Sequence, residues 1–240
     1  MNFQEGEIIG INKPYGMSSF GALAYVRTRL SKALHVKRLK TGHAGTLDPL
    51  ATGVLILCTG KATKRIEQLQ QATKEYTATL QLGATTASYD REHTVNMTYP
   101  TRHITRELIE QVLTRFVGEI QQVPPVYSAC NIGGDRAYKL ARRGDDVQLA
   151  AKTIRIDEIE LLSFDPQTMQ MSIRVVCGKG TYIRALARDI GEALGSGAFL
   201  TALCRTRVGD LRIEQCLTFD EFPHWLDSLD IRTSCLDIKT

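Results

Sequence analysis

Asp48 is the first candidate for a catalytic side chain, because it is the only acidic residue between Glu7 and Glu67. Ten lysines and arginines lie in the same interval. If these cations bind phosphates, an acidic residue among them weakens the binding by repulsion, so a chemical role is expected for it. The alternative is a turn residue, since aspartate before proline is a common turn opener.

The residues around Asp48 favour the chemical interpretation. Gly42, Gly45 and Gly53 bracket the acid, and glycine permits tight turns and the close approach of a ligand. A carboxylate presented by such a loop could act as a nucleophile or stabilise a developing charge. The segment consists of Gly42-His43-Ala44-Gly45-Thr46-Leu47-Asp48-Pro49-Leu50-Ala51-Thr52-Gly53-Val54-Leu55.

This segment resembles the catalytic motif of the TruB family of tRNA pseudouridine synthases, G-H-x-G-x-L-D-P-x-A-x-G-V-L. The resemblance extends over roughly residues 8 to 212. Other stretches follow in the family's order: Asn12-Lys13-Pro14, Gly60-Lys61-Ala62-Thr63-Lys64, Lys74-Glu75-Tyr76, Pro124-Pro125-Val126-Tyr127-Ser128-Ala129, Arg136-Ala137-Tyr138, Ala141-Arg142-Arg143-Gly144 and Gly178-Lys179-Gly180-Thr181-Tyr182-Ile183-Arg184.

The resemblance implies catalytic roles for three residues. Asp48 matches the family's catalytic aspartate, which assists the departure of uracil from the ribose. Arg184 matches the arginine that pairs with this aspartate and keeps it charged in a closed pocket. Tyr76 matches the tyrosine that lies against the target uracil and takes part in moving the C5 proton. Without the motif, Arg184 is typical of an exposed helix arginine and Tyr76 of a tyrosine packed in a core.

Five further residues are expected to bind the substrate. Tyr182 and Leu203 match positions that contact the base in the family, although both are also typical of core residues. His43 matches a histidine that stacks on an unstacked RNA base rather than acting as an acid or base. Lys13 and Lys64 are candidates for phosphate contacts, whereas most lysines are solvated surface residues.

Apolar periodicity predicts the elements that carry these residues. In the first part of the chain it predicts strands over 8–11 and 53–58 and helices over 18–30 and 62–72. The first helix, capped by Ser18 or Ser19, is expected to turn four residues inward: Phe20, Leu23, Ala24 and Leu30.

Further along, residues 76–82 alternate so that Tyr76 belongs to the inner face of a strand. A loop over 83–103, a helix over 104–116 and strands over 153–163 and 169–177 follow. A helix capped by Thr181 is predicted with the apolar stripe Ile183, Leu186, Ala187, Ile190 and Leu194.

These elements intermix without a regular βαβ rhythm or an internal repeat, which predicts an α+β fold. The resemblance implies a pseudouridine synthase fold with a mixed, largely antiparallel sheet flanked by helices. Between about 124 and 152 the composition shifts to prolines, glycines and basic residues, and this part resembles the family's RNA-gripping insertion.

Composition and charge narrow the class of protein. A chain of 240 residues that is 43% hydrophobic can bury a sizeable core. Residues 1–75 hold 11 basic and 5 acidic residues, a net charge of +6, whereas residues 213–240 hold 2 basic and 6 acidic residues, a net charge of −4. This asymmetry favours polyanion binding by the N-terminal half.

The cysteines and apolar runs predict a cytoplasmic protein without metal, disulfide or membrane span. Six cysteines are scattered without a C-x-x-C pair, which is typical of thiols in a reducing compartment. The apolar run over 54–58 is too short to cross a bilayer.

Two departures from the family pattern bear on these expectations. Residues 86–90 read Thr-Ala-Ser-Tyr-Asp where many relatives have Thr-Asp-Thr followed by Asp, so the sequence assigns this loop no role. The resemblance also implies a catalytic domain over 1–212 and a short acidic segment over 213–240, without a full PUA domain.

The predicted activity is the isomerisation of uridine 55 in the T loop of tRNA to pseudouridine, on a flipped-out base and without a cofactor. The predicted partner is the T stem-loop of tRNA, and the chain is expected to be monomeric with no obligate protein partner. Two alternatives stay open: an RNA-binding folding factor without chemistry, and a relative that is directed by a guide RNA. A P-loop is excluded because Leu55 and Ala62 replace its glycine and its Ser or Thr.

Overall fold

The computed structural model describes residues 1–128, 131–132, 135–136, 143 and 149–229. The chain divides into two compact units: the first combines residues 1–72 with the chain from Cys204 onward, and the second comprises residues 73–203. The sequence-predicted insertion lies largely outside the described residues.

Thirteen strands are described. In chain order they are β1 (Ile8–Lys13), β2 (Thr41–His43), β3 (Ala51–Thr59), β4 (Lys74–Leu82), β5 (Ala84–Thr86), β6 (Val95–Thr98), β7 (Gly118–Gln122), β8 (Asn131–Ile132), β9 (Asp135–Arg136), β10 (Lys152–Asp165), β11 (Gln170–Cys177), β12 (Ala198–Val208) and β13 (Leu211–Arg212). The α-helices of the described chain are α1 (Ser19–Ala33), α2 (Ile66–Gln71), α3 (Arg106–Leu113), α4 (Ile183–Ala193) and α5 (Glu221–Asp227). Short 3₁₀ helices span Gly60–Arg65, Thr114–Phe116 and Ile213–Gln215.

In the first unit, β3 is the central strand. It pairs antiparallel with β1 and with the short β2. The last part of β12 lies beside β3 and pairs with β13. A hydrophobic core packs α1 and α5 against this sheet, and its most enclosed members are Phe3, Ile11, Leu30, Leu55 and Phe222.

Helix α1 begins where the sequence predicts, but its inner face differs. The Ser18 hydroxyl accepts a hydrogen bond from the Gly21 N–H (3.0 Å) and caps the helix. Leu23 and Leu30 are buried, as predicted. Phe20 is 64% exposed, so the prediction that it faces inward is wrong. Helical spacing from Leu23 and Leu30 leads to the buried residues Ser19, Ala22 and Val26, which leaves Phe20 at the edge of this buried face.

The predicted helix over 62–72 is also only partly correct. The segment starts as the 3₁₀ helix Gly60–Arg65 and becomes α-helical at Ile66. Its first N–H groups are engaged elsewhere, because Gly60 donates to the Lys40 carbonyl and Lys61 to the Glu5 carbonyl.

Within the described residues, the second unit contains a largely antiparallel sheet and the helices α3 and α4. Its strand order is β12, β4, β11, β10, β7, with the first part of β12 beside β4. Tyr76 stands opposite Val175 in the β4–β11 register. Every second residue of β4 is buried, which confirms the predicted alternation. The apolar stripe predicted for α4 is confirmed, because all five of its residues are buried.

Three local predictions for this unit are wrong. The segment 83–103 contains the hairpin β5–β6 rather than only a loop. All four residues of β6 are exposed, and a strand without a buried face leaves no hydrophobic alternation to read. Thr181 does not cap α4: Tyr182 occupies that position, and the Thr181 hydroxyl donates to the Gly178 carbonyl (3.2 Å). Helix α3 ends at Leu113, and the last residues of the predicted helix form a 3₁₀ turn.

The intermixed helices and largely antiparallel strands confirm the predicted α+β class. No helix in the described part of the chain is long and apolar enough to cross a membrane.

Candidate active site

Asp48 lies in the first unit, directly before the turn that leads into β3. The side chain is half-buried, and the Asp48 carbonyl accepts a hydrogen bond from the Ala51 N–H (3.1 Å). The hydroxyl of Ser19 bonds both backbone groups of the preceding Leu47, donating to its carbonyl (2.9 Å) and accepting from its N–H (2.8 Å). Because Ser19 is the buried first residue of α1, the start of this helix fixes the backbone beside Asp48.

Gly53 makes the strand after Asp48 possible. Its φ is +103°, and a Cβ at this position would collide with the Arg205 carbonyl oxygen of β12. The backbone of β3 therefore approaches β12 more closely than any side chain permits. The close approach that the sequence predicts for this glycine is met by the protein's own strand.

Lys13 is fully buried beneath the Asp48 loop. Its Nζ donates to the carbonyls of Met17 (2.7 Å), Pro14 (2.9 Å) and Pro49 (3.4 Å). Burial lowers the pKa of Lys13 from 10.5 to about 8; the Asp48 carboxylate opposes this shift and Arg205 adds to it. The ammonium faces backbone carbonyls of the loop, so its contacts connect the turn after β1 with the residue that follows Asp48.

Arg205 is a second buried cation in this region, and sequence reasoning missed it. It is 1% exposed, and its guanidinium donates to the carbonyls of Val54 (2.7 Å) and Gly45 (3.4 Å) on either side of the Asp48 turn. Along the chain it is one of two arginines in β12, together with Arg207, and such a pair is typical of a solvated strand face.

Two more predicted residues belong to this unit. His43 lies in β2 opposite Leu57 and is half-buried, and burial lowers its pKa, which favours the neutral imidazole at pH 7. Its Nδ1 is buried without a hydrogen-bond partner in the described chain. Lys64 is exposed on the 3₁₀ helix Gly60–Arg65.

The second unit holds the remaining predicted residues. Tyr76 is 8% exposed on β4. Tyr182 is half-buried, and Gln122 bonds both of its backbone groups: the Tyr182 N–H donates to Gln122 Oε1 (2.8 Å), and Gln122 Nε2 donates to the Tyr182 carbonyl (3.2 Å). Leu203, on β12, is half-buried at the end of the unit.

Arg184 lies in a buried polar pocket of the second unit and is only 5% exposed. Its guanidinium donates to the carbonyls of Tyr127 (2.9 Å) and Ser88 (3.2 Å), and its Nε lies 3.7 Å from Asp90 Oδ2. Arg184 is therefore not the exposed helix arginine that its residue type alone would favour. Its predicted pairing with Asp48, which belongs to the first unit, stays a prediction.

Asp90 is the functional candidate that the sequence left without a role. Its Oδ1 accepts from the Ser88 hydroxyl (2.5 Å) and from the Glu92 N–H (2.9 Å), while its carbonyl accepts from the Thr86 hydroxyl (2.7 Å). These bonds fold residues 86–92 around the carboxylate that faces Arg184. The only sequence signal was an acidic residue shortly after a strand.

Comparison with known proteins places this arrangement in a family. The model of the TruB family pseudouridylate synthase N-terminal domain matches residues 31–183, and that of the tRNA pseudouridylate synthase B C-terminal domain matches residues 184–236. The chain belongs to the TruB family. The predicted family and enzyme class, a pseudouridine-forming isomerase, are thereby confirmed.

Individual relatives extend the match over nearly the whole chain. Proteins named tRNA pseudouridine synthase B are 62% identical in Phocaeicola vulgatus, over 96% of this chain and 97% of that protein, and 61% identical in Bacteroides fragilis, over 98% and 100%. A protein of the same name from Mycobacterium bovis is 46% identical over 89% of this chain and 70% of its own length.

Solved structures agree on the fold. A crystal structure of a Cbf5–Nop10–Gar1 complex matches 93% of this chain with a TM-score of 0.68 and 31% identity. A structure of an H/ACA RNP bound to a substrate RNA containing 2′-deoxyuridine matches with a TM-score of 0.65 and 29% identity. This chain spans about 55% of the matched chain in the first complex. The predicted pseudouridine synthase fold is confirmed.

Proposed function

We propose that this TruB family member isomerises uridine 55 in the T loop of tRNA to pseudouridine, with Asp48 as the nucleophilic carboxylate. The single observation that carries the proposal is the rigid Asp48 loop, whose acid is the only one between Glu7 and Glu67. Relatives that are named for tRNA share about twice as much sequence identity with the chain as the H/ACA proteins do, 62% against 31%. The tRNA substrate is therefore favoured over a guide-directed one.

The reaction is an isomerisation, so atoms balance without a co-reactant. The bond between ribose C1′ and uracil N1 breaks, a bond between C1′ and C5 forms, the C5 proton leaves and N1 ends with a proton. The target base must leave the stack before any side chain can reach it. Asp48 assists the departure of uracil as a nucleophile, and the ammonium of Lys13 in the same unit attracts its carboxylate.

The other site residues have supporting roles in this proposal. Arg184 pairs with Asp48, and Tyr76 lies against the flipped uracil and takes part in moving the C5 proton. Tyr182 and Leu203 contact the base, and the neutral His43 stacks on an unstacked RNA base. Lys64 is exposed and binds a phosphate of the T stem-loop.

Lys13 has a different role from the phosphate contact that its residue type suggests. Its buried ammonium bonds three carbonyls around the Asp48 loop, so we propose that it holds the loop. Residues 1–212 form the catalytic region in this proposal, while a cytoplasmic location and a monomeric state stay predictions.

The test is the release of tritium from a tRNA transcript labelled at uracil C5. We expect release with the wild-type protein, and at least about a thousandfold slower release with Asp48→Asn, because the amide is a poor nucleophile. Asp210→Asn, at an exposed aspartate of the same unit, is the matched control and should retain the wild-type rate.

A transcript in which uridine 55 is replaced by cytidine, with the other uridines still labelled, should release no tritium. Release at another uridine would contradict the proposed target. Tight tRNA binding without any release would contradict the reaction itself and favour an RNA-folding factor.

A further inference from the structure

The Arg184 pocket is built from two segments that lie far apart in sequence. One segment supplies the Ser88 carbonyl and the Asp90 carboxylate, and the other supplies the Tyr127 carbonyl. A planar guanidinium bonds several acceptors well only when they stand in fixed positions. The orientation of the Arg184 guanidinium therefore depends on what holds these two segments in position relative to each other.

The first segment is fixed by its own hydrogen bonds. The Ser88 hydroxyl, the Glu92 N–H and the Thr86 hydroxyl all bond Asp90. Tyr127, in contrast, belongs to neither a helix nor a strand. The Ser128 N–H donates to the Val126 carbonyl (2.9 Å) across this residue. A contact of the Tyr127 side chain adds to this backbone hydrogen bond.

A ring contact connects the two segments. The imidazole of His93, three residues after Asp90, lies against the Tyr127 ring with the ring centroids 4.6 Å apart and the planes at 42°. His93 Nδ1 is buried and has no hydrogen-bond partner within the described ranges. The faces of the ring, rather than this nitrogen, hold it against Tyr127.

We propose that His93 is a positioning residue, which fixes the Tyr127 carbonyl by stacking and thereby holds Arg184 in its reactive orientation. The inference rests on the proposed function, because it requires Arg184 to serve pseudouridine formation. It deepens that function by adding a residue that touches neither RNA nor Asp48 and acts through Tyr127. Since no bond to Nδ1 would be lost, a phenylalanine can replace this histidine.

Single-turnover pseudouridine formation at saturating enzyme measures the chemical step, and tRNA affinity is measured separately by filter binding. We expect His93→Ala to slow the chemical step by about three- to tenfold, the equivalent of one aromatic contact. The tRNA affinity should stay within about twofold of wild type, because the contact does not involve RNA. His93→Phe should restore the wild-type rate.

Two further variants test the route through Tyr127. Tyr127→Ala should slow the reaction at least as much as His93→Ala, and the double variant should be no slower than Tyr127→Ala alone, because both changes remove the same contact. His224→Ala, at an exposed histidine of the first unit, is the matched control. If His93→Ala does not fold, as judged by its thermal melt, His93→Leu takes its place.

Four results would overturn the positioning role while the wild type stays active. These are a wild-type rate for His93→Ala, weaker tRNA binding with an unchanged rate, no rescue by His93→Phe, and additive effects in the double variant. A wild-type protein that forms no pseudouridine would overturn both the proposed function and this inference.

Discussion

The buried charges near Asp48 are cations, whereas the buried charge near Arg184 is a carboxylate. Lys13 and Arg205 lie under the Asp48 loop and donate hydrogen bonds to its backbone carbonyls. Asp90 faces Arg184 in the second unit, and two carbonyls complete that pocket. Each functional side chain thus has a buried group of opposite charge within its own unit.

The two regions also differ in how tightly their backbone is packed. In the first unit the Gly53 backbone touches that of Arg205, leaving no space for a side chain. In the second unit Gly180, just before α4, has a φ of +88° but no heavy atom within 4 Å of an added Cβ. The Asp48 loop should therefore tolerate less change than the chain that leads to Arg184.

Alanine substitution at these two glycines gives the largest expected difference between the two regions, in the free energy of unfolding. Gly53→Ala should lower the free energy of unfolding by at least about 3 kcal/mol, since it combines a positive φ with a backbone collision. Gly180→Ala should lower the free energy of unfolding by only about 1 kcal/mol, because the positive φ is its only penalty. Urea unfolding of both variants measures this, and equal losses would contradict the difference in packing.

Replacing each buried arginine by lysine separates chemistry from folding. Arg184→Lys should slow pseudouridine formation about a hundredfold, because an ammonium lacks the planar fork whose separate nitrogens face Ser88, Tyr127 and Asp90. Arg205→Lys should instead reduce stability by about 1–3 kcal/mol, because the buried Val54 carbonyl loses its donor. The rate of pseudouridine formation and the melting temperature are measured for both variants. A stability loss with Arg184→Lys and a slower reaction with Arg205→Lys would refute the assigned roles.

The buried ammonium of Lys13 predicts a pH effect on the stability of the protein. The pKa of Lys13 is about 8 in the folded protein against 10.5 ordinarily, so between these values the unfolded chain binds more protons and stability rises with pH. Relative to Lys13→Met, the wild type should gain up to about 2 kcal/mol in unfolding free energy between pH 8 and pH 10. Urea unfolding of both proteins across this range measures the gain, and a constant difference would mean that Lys13 does not titrate there.

Asp90→Asn is expected to have the smallest of these effects on activity. The amide keeps an acceptor for Ser88 and for the Glu92 N–H but removes the charge that faces Arg184. The rate should fall about tenfold, because the Ser88 and Tyr127 carbonyls still hold the guanidinium. An unchanged single-turnover rate would show that this carboxylate serves only the fold of its loop.

Local sequence patterns predicted much of the fold. The alternation in β4 and the stripe of α4 both identify a buried face, because a strand or helix that packs on one side repeats its apolar residues at its own period. The same logic missed the β5–β6 hairpin, since all residues of β6 are exposed and the strand has no buried face. It also predicted wrongly that Phe20 faces inward, because residue type alone does not tell which apolar residue of a helix packs in the core.

The functional residues also divide into those that the sequence identified and those that only the structure revealed. A motif of local residue types singled out Asp48, because an acid among cations and glycines is visible along the chain. Two buried charged residues, Arg205 in the first unit and Asp90 in the second, became evident only in the structure: Arg205 bonds Val54 across 151 positions, and Arg184 bonds Ser88 across 96. A buried charge is stabilised by whichever groups the fold brings to it, and groups so distant in sequence leave no local pattern.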